Sequence, residues 1–443
     1  MARNGPGDVV SQRDVSVAFL QSTAYGPDER KRYCSYRAYK GAAEKLYELL
    51  GPLYGQRSAP RRWYETLAGW LTSDGMGFVQ GSNEPCLFTH PVSGLSVVVY
   101  VDDLITRGSE AATGAFHEAL GRRFECTAEQ YLGVDNSLDF LGFTVSMEVR
   151  GEEVCFFMDQ RESLGELLSS FERAKIPFKS SPMPTKELFD SDPRPLTENA
   201  AAVYKHTVGS LNYMARCTRF DIAYAVSRLS TMLAAPNQGN FKALMHLLGY
   251  LRAAVDFRIG GSVSGVGDVF HFYVDSDHAS DRVRDSRSQT GYMIFLNQFP
   301  VGWCSRRQPV TAVSPAEAEI YAMREGVVAG RLVQWVAEEM GLAVEWPFEV
   351  LSDSTQAVSF QRATAPNSKL RGCFDLREKS VQELRDQGVV LSRHIPREMN
   401  IADMLTHCLS GPKFRGCVEM AQNLQAYSCR GACVEFSYAG TCL

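Results

Sequence analysis

Apolar positions along this chain alternate between two periods, and the changes of period mark its elements. The β-branched run Leu95-Ser-Val-Val-Val-Tyr100 reads as a strand, and Asp139-Phe-Leu-Gly-Phe-Thr-Val145 reads as another. A polar, proline-containing connector from Ser180 to Pro195 leads into helical spacing. Ile222, Ala225, Val226, Leu229, Met232 and Leu233 form one stripe, and Phe241, Leu244, Leu248 and Leu251 form the next, behind a cap at Asn240. Asp221, at the head of the first stripe, is expected as a helix N-terminal charge. Strand alternation returns at Phe270-His-Phe-Tyr-Val-Asp275-Ser-Asp277, and further strands are predicted over Gly291–Leu296, Pro300–Ser305, Phe348–Ser352 and Val389–Pro396. Between them, Ser314 as N-cap, Pro315 at the first helical position and Glu317 three residues past the cap predict a capping box.

Carboxylates sit where these elements end. Asp102-Asp103 follow the first strand; a solvated hairpin tip and a divalent metal site are both open readings, since Mg2+ wants oxygen ligands. Glu319 lies roughly 200° around its helix from Glu317 and is the acid left free to face a sheet. With Asp275, Asp353 after Phe348–Ser352, and Asp403 in Asn400-Ile-Ala-Asp403 at a short helix, it completes four acids that a β-β-β-α-β-α layer fold gathers.

Three segments, in order, resemble the polymerase palm of reverse transcriptases from copia-type long-terminal-repeat retrotransposons: Asp14-Val-Ser-Val-Ala-Phe19-Leu, Leu53-Tyr54-Gly55-Gln-Arg57-Ser-Ala-Pro-Arg-Arg-Trp63-Tyr, and Tyr100-Val-Asp102-Asp103. The resemblance implies metal binding by Asp14, Asp102 and Asp103. It implies that Phe19 lies under the incoming nucleotide's sugar, and that Tyr54, Gly55, Arg57 and Tyr100 line the nucleotide and template site. Arg57, Arg61 and Arg62 interleaved with Trp63 and Tyr64 offer phosphate pairing and base stacking, or else an exposed basic helix start. The block from Val203 through Ala223, with Gly209-Ser-Leu-Asn-Tyr213 and Arg219-Phe-Asp-Ile222, resembles the family's thumb and connection.

The second half is similar to ribonuclease H in its copia-type form: Asp275-Ser-Asp277, Arg287-Ser-Gln-Thr-Gly-Tyr292, Gln308-Pro309, Ser314-Pro-Ala-Glu-Ala-Glu319, Ser352-Asp-Ser354 and Asn400-Ile-Ala-Asp403. The family's metal-binding tetrad maps to Asp275, Glu319, Asp353 and Asp403, Asp275 being preferred over Asp277 because it directly follows the strand. Arg284, Arg287, Arg306 and Arg307 are candidates for gripping hybrid phosphates or are solvated loop charges. Two departures stand out: the finger segment expected before Asp14 is missing, which implies an impaired polymerase in this chain alone, and the family's histidine-containing motif after Asp353 is replaced by Gly372-Cys373-Phe374-Asp375.

The fold class expected is α+β and α/β multidomain: a palm over 1–179 with incomplete fingers, a helical thumb and connection over 180–265, a ribonuclease H-like mixed-sheet domain over 266–410, and a cysteine-containing tail over 411–443. Its length of 443 residues allows a sizeable core, and the net charge of −5 weakens a nucleic-acid reading without overturning it, since local basic patches matter more. The 12 cysteines show no Cys-x-x-Cys and read as reduced thiols, those of the tail as free thiols in a loosely ordered terminus. With no signal or membrane-spanning stretch, a soluble cytoplasmic or nuclear protein is expected.

The function expected is an RNA-directed DNA polymerase fragment with a ribonuclease H that hydrolyses the RNA strand of RNA/DNA hybrids. It would use two Mg2+ ions per site, or Mn2+, with RNA template, DNA primer, dNTP and other retrotransposon Pol segments as partners. The alternative is a decayed or domesticated element product that binds nucleic acid without catalysis.

Overall fold

The computed structural model describes residues 8–422 except 152, 185–188, 190, 263–269, 280–285, 298, 345–346 and 364–375. Arg284, the Gly372–Asp375 replacement and the tail cysteines Cys429, Cys433 and Cys442 lie outside these residues.

The chain opens with β1 (Asp8–Asp14), the small hairpin β2 (Arg32–Tyr36) and β3 (Lys45–Leu49), and helix α1 (Ala59–Leu71). Next come β4 (Val79–Gln80), β5 (Leu87–Thr89), β6 (Ser96–Tyr100), β7 (Asp103–Ser109), α2 (Glu110–Arg123) and β8 (Gln130–Tyr131). These strands form a sheet in the order β4-β5-β6-β7-β1-β8, antiparallel throughout. Val97, Val99 and Leu104 point to its buried face, where Trp63, Leu67 and Leu71 of α1 and Phe116 and Leu120 of α2 cover them.

The stretch Asp139–Val145 is not one strand. Leu141 and Gly142 both adopt positive φ, 53° and 75°, and turn the chain between β9 (Leu138–Phe140) and β10 (Phe143–Arg150). A two-residue hairpin turn of that hand needs positive φ at both positions, and the Leu-Gly pair sits where an apolar run hides it. β11 (Glu153–Asp159) continues that sheet, followed by α3 (Arg161–Ser169), α4 (Glu198–Cys217), α5 (Ala223–Ser230) and α6 (Gln238–Ala253), and then β12 (Ile259–Ser262), which pairs with β11.

The helical seams fall as predicted, with differences at the ends. α6 is capped by Asn237, whose side chain accepts from Asn240 N–H at 2.9 Å while Asn240 Oδ1 accepts from Asn237 N–H at 3.0 Å; Asn240 is therefore the third residue of the cap and not the cap itself. α5 stops at Ser230, so Met232 and Leu233 pack from the following turn. Asp221 does more than bias a helix end. It is buried and accepts two bonds from Arg219 at 2.9 and 2.7 Å and one from the Tyr250 hydroxyl at 2.8 Å, because a carboxylate without water needs a full set of donors.

The last sheet is mixed. β13 (Phe270–Asp277), β14 (Gln289–Leu296) and β15 (Phe299–Arg307) run antiparallel; then α7 (Pro315–Glu339), β16 (Phe348–Ser352), α8 (Thr355–Arg362), α9 (Leu376–Asp386) and β17 (Val390–His394) follow, with β16 parallel to both β13 and β17. The order is β15-β14-β13-β16-β17. Ser314 Oγ caps α7 at Glu317 N–H, 3.2 Å, but the Glu317 carboxylate reaches back one residue further than expected, to Val313 N–H at 2.7 Å. A final helix, α10 (Gly411–Gln422), packs Phe414, Cys417 and Met420 into the interior. So Cys417 is not in a loose terminus; burial pushes its thiol up to about 11.

One buried cluster runs from Leu164 of α3 through α4, α5 and α6 to Met293, Phe295, Met404 and Phe414, so the packing is continuous across residues 265 and 410. α7 packs on β13 with Gly330 facing the Phe272 ring: a Cβ there would sit 1.9 Å from Phe272 Cε1. Alanine is the better helix former by about 1 kcal/mol, yet Gly330→Ala is expected to lower stability by about 1–3 kcal/mol, read from the urea midpoint, because the fully buried ring has nowhere to go.

Candidate active sites

The first acidic group is built by strand register. Asp14 ends β1 directly opposite Asp103 at the start of β7, and Val15 N–H donates to the Asp102 carbonyl at 2.9 Å. β6 and β7 pair Tyr100 with Asp103, leaving Val101 and Asp102 as the turn, with Val101 in the left-handed region at φ 57°. A β-branched residue is strained there. Trp63, buried in α1, braces that turn by donating its indole N–H to the Val101 carbonyl. Burial, and then the Asp102 and Asp103 charges, raise the Asp14 carboxyl above its usual range; burial and Asp102 raise Asp103. Asp14, Asp102 and Asp103 thus share one half-buried spot.

Around it, the Phe19 and Tyr54 rings lie with centroids 4.8 Å apart, tilted by 46°, Gly55 turns the chain at φ 88°, and Arg57 and Tyr100 are exposed. The basic and aromatic cluster behind them is partly committed elsewhere. Arg62 grips both Glu29 oxygens at 2.6 Å, Arg61 pairs with Glu65 at 2.7 Å, and Trp63 is core, because the inward stripe of α1 runs through positions 63, 67 and 71.

The second group gathers from four elements. Asp275, on β13, is buried; Asp353 follows β16, the parallel neighbour of β13; Glu319 is in the second turn of α7; and Asp403 is in the 3-10 turn Ile401–Leu405. Asn400 caps that turn and staples it to the sheet, donating to the Val274 carbonyl at 3.0 Å and to Asp353 Oδ1 at 2.9 Å. Gly291, paired with Asp275 on β14, lets the turn lie flat, since a Cβ there would meet Thr406 Cγ2 at 2.7 Å. Thr406 donates its hydroxyl to Asp275 Oδ2, and Lys413 of α10 places its ammonium on Asp403 Oδ2. Burial pushes the Asp275 carboxyl up to about 6, His407 and Thr406 opposing the rise and Asp403 and Asp353 adding to it. Burial, then Asp275 and Asp353, raise Glu319 well above the carboxylate range.

Asp277, two residues along β13 and so on the same face as Asp275, is buried and lines a neighbouring cavity of about 170 Å³ together with Arg228, His407 and Cys408. Arg306 is ion-paired with Glu325. His407, Thr406 and Lys413 were not foreseen. His407 follows Asp403 by four residues, so the spacing alone could have suggested that both face one way; Lys413 had no such signal, because its place depends on how α10 packs.

A divalent cation fits the second group. Glu319 Oε2 and Asp403 Oδ1 are buried oxygens with no hydrogen-bond partner among the described residues, and carboxylate oxygens are what hard dications take. Asp275, Glu319, Asp353 and Asp403 are the side chains that could hold it.

No protein-family model matches the chain. It is 26% identical over 427 residues, 93% of its length, to the Retrovirus-related Pol polyprotein from transposon TNT 1-94 of Nicotiana tabacum, and 27% identical over 421 residues, 92% of its length, to that from transposon RE2 of Arabidopsis thaliana. The Transposon Ty1-LR2 Gag-Pol polyprotein of Saccharomyces cerevisiae matches at 22% over 423 residues. The chain is a homologue of copia-type retrotransposon Pol polyproteins. This Pol homologue spans 30%, 27% and 23% of those three relatives. Among solved structures, LC11-RNase H1 in complex with an RNA/DNA hybrid aligns at 17% identity and TM-score 0.24 over 31% of the chain and 93% of its own, and the N-terminal RNase H domain of rv2228c from Mycobacterium tuberculosis at 15% and 0.24 over 35% and 99%. Among the described residues no helix is long and apolar enough to cross a membrane.

Asp275 and Glu319 hold protons more tightly folded than unfolded, so the stability they contribute is complete below about pH 4 and is lost as pH rises through about 6 and beyond. Without divalent cations, the melting temperature is expected to fall over that window, less steeply in Asp275→Asn, and adding Mg2+ or Mn2+ above neutral pH should restore it by mass action. A melting temperature indifferent to both pH and cation would contradict the burial and mutual repulsion described for Asp275 and Glu319.

Proposed function

We propose that this chain carries a ribonuclease H-type hydrolytic site at Asp275, Glu319, Asp353 and Asp403 and a reverse-transcriptase-type nucleotidyl-transfer site at Asp14, Asp102 and Asp103. The units proposed are a palm over 1–179, a helical thumb and connection over 180–265, a nuclease unit over 266–410, and α10 with the remaining tail. The substrates are an RNA/DNA hybrid for the first site and an RNA template, a DNA primer and dNTP for the second, with other Pol segments as further partners. What carries the reading is the gathering of four acids from β13, α7, β16 and the Ile401–Leu405 turn around oxygens that have no donor.

Two divalent cations bound there would supply Lewis-acid stabilisation of charge developing on the phosphate and a water acidified for attack. The chain's own residues do the holding. Asn400 fixes the Asp353 carboxylate, Thr406 fixes Asp275, and the sheet keeps both at the same end of two parallel strands. At the other site, the Trp63 bond to Val101 keeps Asp102 and Asp103 against Asp14, and the mutually tilted Phe19 and Tyr54 rings offer aromatic surface for a sugar or base.

The test is cleavage of an RNA/DNA hybrid by the full chain with Mg2+ or Mn2+. The unmodified chain is expected to cut the RNA strand, and Asp353→Asn to cut roughly 10²-fold more slowly or less, the scale on which one charge-stabilising group acts. In parallel, primer extension on an RNA template is expected to vanish in Asp103→Asn while hybrid cleavage persists. Hybrid bound but never cut by the unmodified chain would favour the reading of a nucleic-acid binder without turnover.

A further inference from the structure

Resting on the reading of this cluster as a cation site, we infer that His407 is one of its ligands, and that Asp275, Asp403 and His407 together take a borderline transition-metal dication such as Zn2+ more tightly than Mg2+. One ligand atom from each lies within 4.8 Å of the others. His407 Nε2 stands 3.7 Å from Asp275 Oδ2 and 3.5 Å from Asp403 Oδ1. Those separations are too long for hydrogen bonds. They are close to the spacing of about 3.4 Å that bonds of about 2.1 Å impose on neighbouring ligands around one tetrahedral ion.

Asp403 supplies a second, independent observation. It is 1% exposed, and its Oδ1, the oxygen that faces the imidazole, has no hydrogen-bond partner among the described residues. Among the described residues no neighbouring donor comes within hydrogen-bond distance of that oxygen. Lys413 bonds the other oxygen, Oδ2, and the Arg397 guanidinium, 65% exposed, reaches Oδ1 only at an ion-pair distance of 3.8 Å, while Thr406 donates to Asp275 Oδ2, the oxygen nearest the imidazole. A set of two carboxylates and one imidazole is a poor match for Mg2+, which takes oxygen, and a good one for Zn2+ or Co2+, which accept ring nitrogen and bind mixed sets more strongly.

Co2+ titrated into the full chain reports the site by its visible absorption, and Zn2+ and Mg2+ are then competed against it. In His407→Gln, Zn2+ affinity is expected to fall on the order of tenfold or more while Mg2+ affinity changes less than about threefold. Equal Zn2+ affinity in His407→Gln and the unmodified chain, or an equal loss for both metals, overturns the inference while leaving the carboxylate site standing if Asp275→Asn and Asp403→Asn still abolish binding. No divalent binding by the unmodified chain overturns both. Should the glutamine variant fail to fold, 15N-histidine NMR of the unmodified chain decides: the His407 Nε2 resonance moves on addition of Zn2+ if it is a ligand and stays if it is not.

Discussion

Like charges crowded together out of water are the constraint around which the second half of this chain is organised. Two carboxyls that each lose hydration and each face the other's field must be held by rigid supports, or the local structure would open to rehydrate them. The supports are visible. Asn400 ties the Asp403 turn to both β13 and β16, Thr406 donates to Asp275, and Lys413 contributes a positive charge from a helix that closes over the group. Removing charge would relax the cluster, so it is not a stabilising feature by itself, which agrees with the cation site proposed for it.

Bringing those acids within range depends on missing side chains as much as on present ones. Gly291 lets the Ile401–Leu405 turn rest directly on β14, and Gly330 lets α7 settle onto Phe272. Any larger residue would lift an acid-bearing element by part of an ångström or more. In a tightly packed interior such a shift is not absorbed locally. The parallel pairing of β13 with β16 then does the rest, because parallel strands deliver their C-terminal ends, and the acids there, to one edge.

Much of this was legible in the chain. Alternating runs that end in acids give β13 and β16 residue for residue, β14, β15 and β17 differ from their expected bounds by one or two residues at an end, and the Ser314–Glu317 pattern gives the start of α7. The Tyr100–Asp103 turn was readable because two acids after a β-branched run have few structural uses. What was not legible has a common cause: it depends on contacts between distant segments. The Leu141-Gly142 turn lies inside an apolar run and looks like continuous strand. Arg62 looked free for phosphate until Glu29 arrived from an upstream turn, and Asp221 looked like a dipole partner until Tyr250 closed over it. His407 shares a side with Asp403 by its four-residue spacing, but that this side meets Asp275 depends on how the Ile401–Leu405 turn is stapled to β13.

The two acidic groups differ in how they are held, and that difference follows from their supports. The Asp14, Asp102 and Asp103 group stands on a strained two-residue turn, half-buried, with Trp63 as brace. Such a turn gives the acids a fixed direction while leaving one side open, which suits the nucleotidyl-transfer site proposed for them. The other group is enclosed by sheet, helix and turn, with Lys413 of α10 set over it. The frames beneath them are joined, since Glu339 at the end of α7 accepts from Ser82 N–H, Asn83 N–H and the Asn83 amide at 2.8, 2.8 and 2.9 Å, on the loop between β4 and β5. Gly81 makes room for that carboxylate, because a Cβ there would lie 2.7 Å from its second oxygen. A carboxylate wrapped by consecutive backbone donors is a directional contact, so it fixes orientation between the frames where a purely apolar seam would allow sliding.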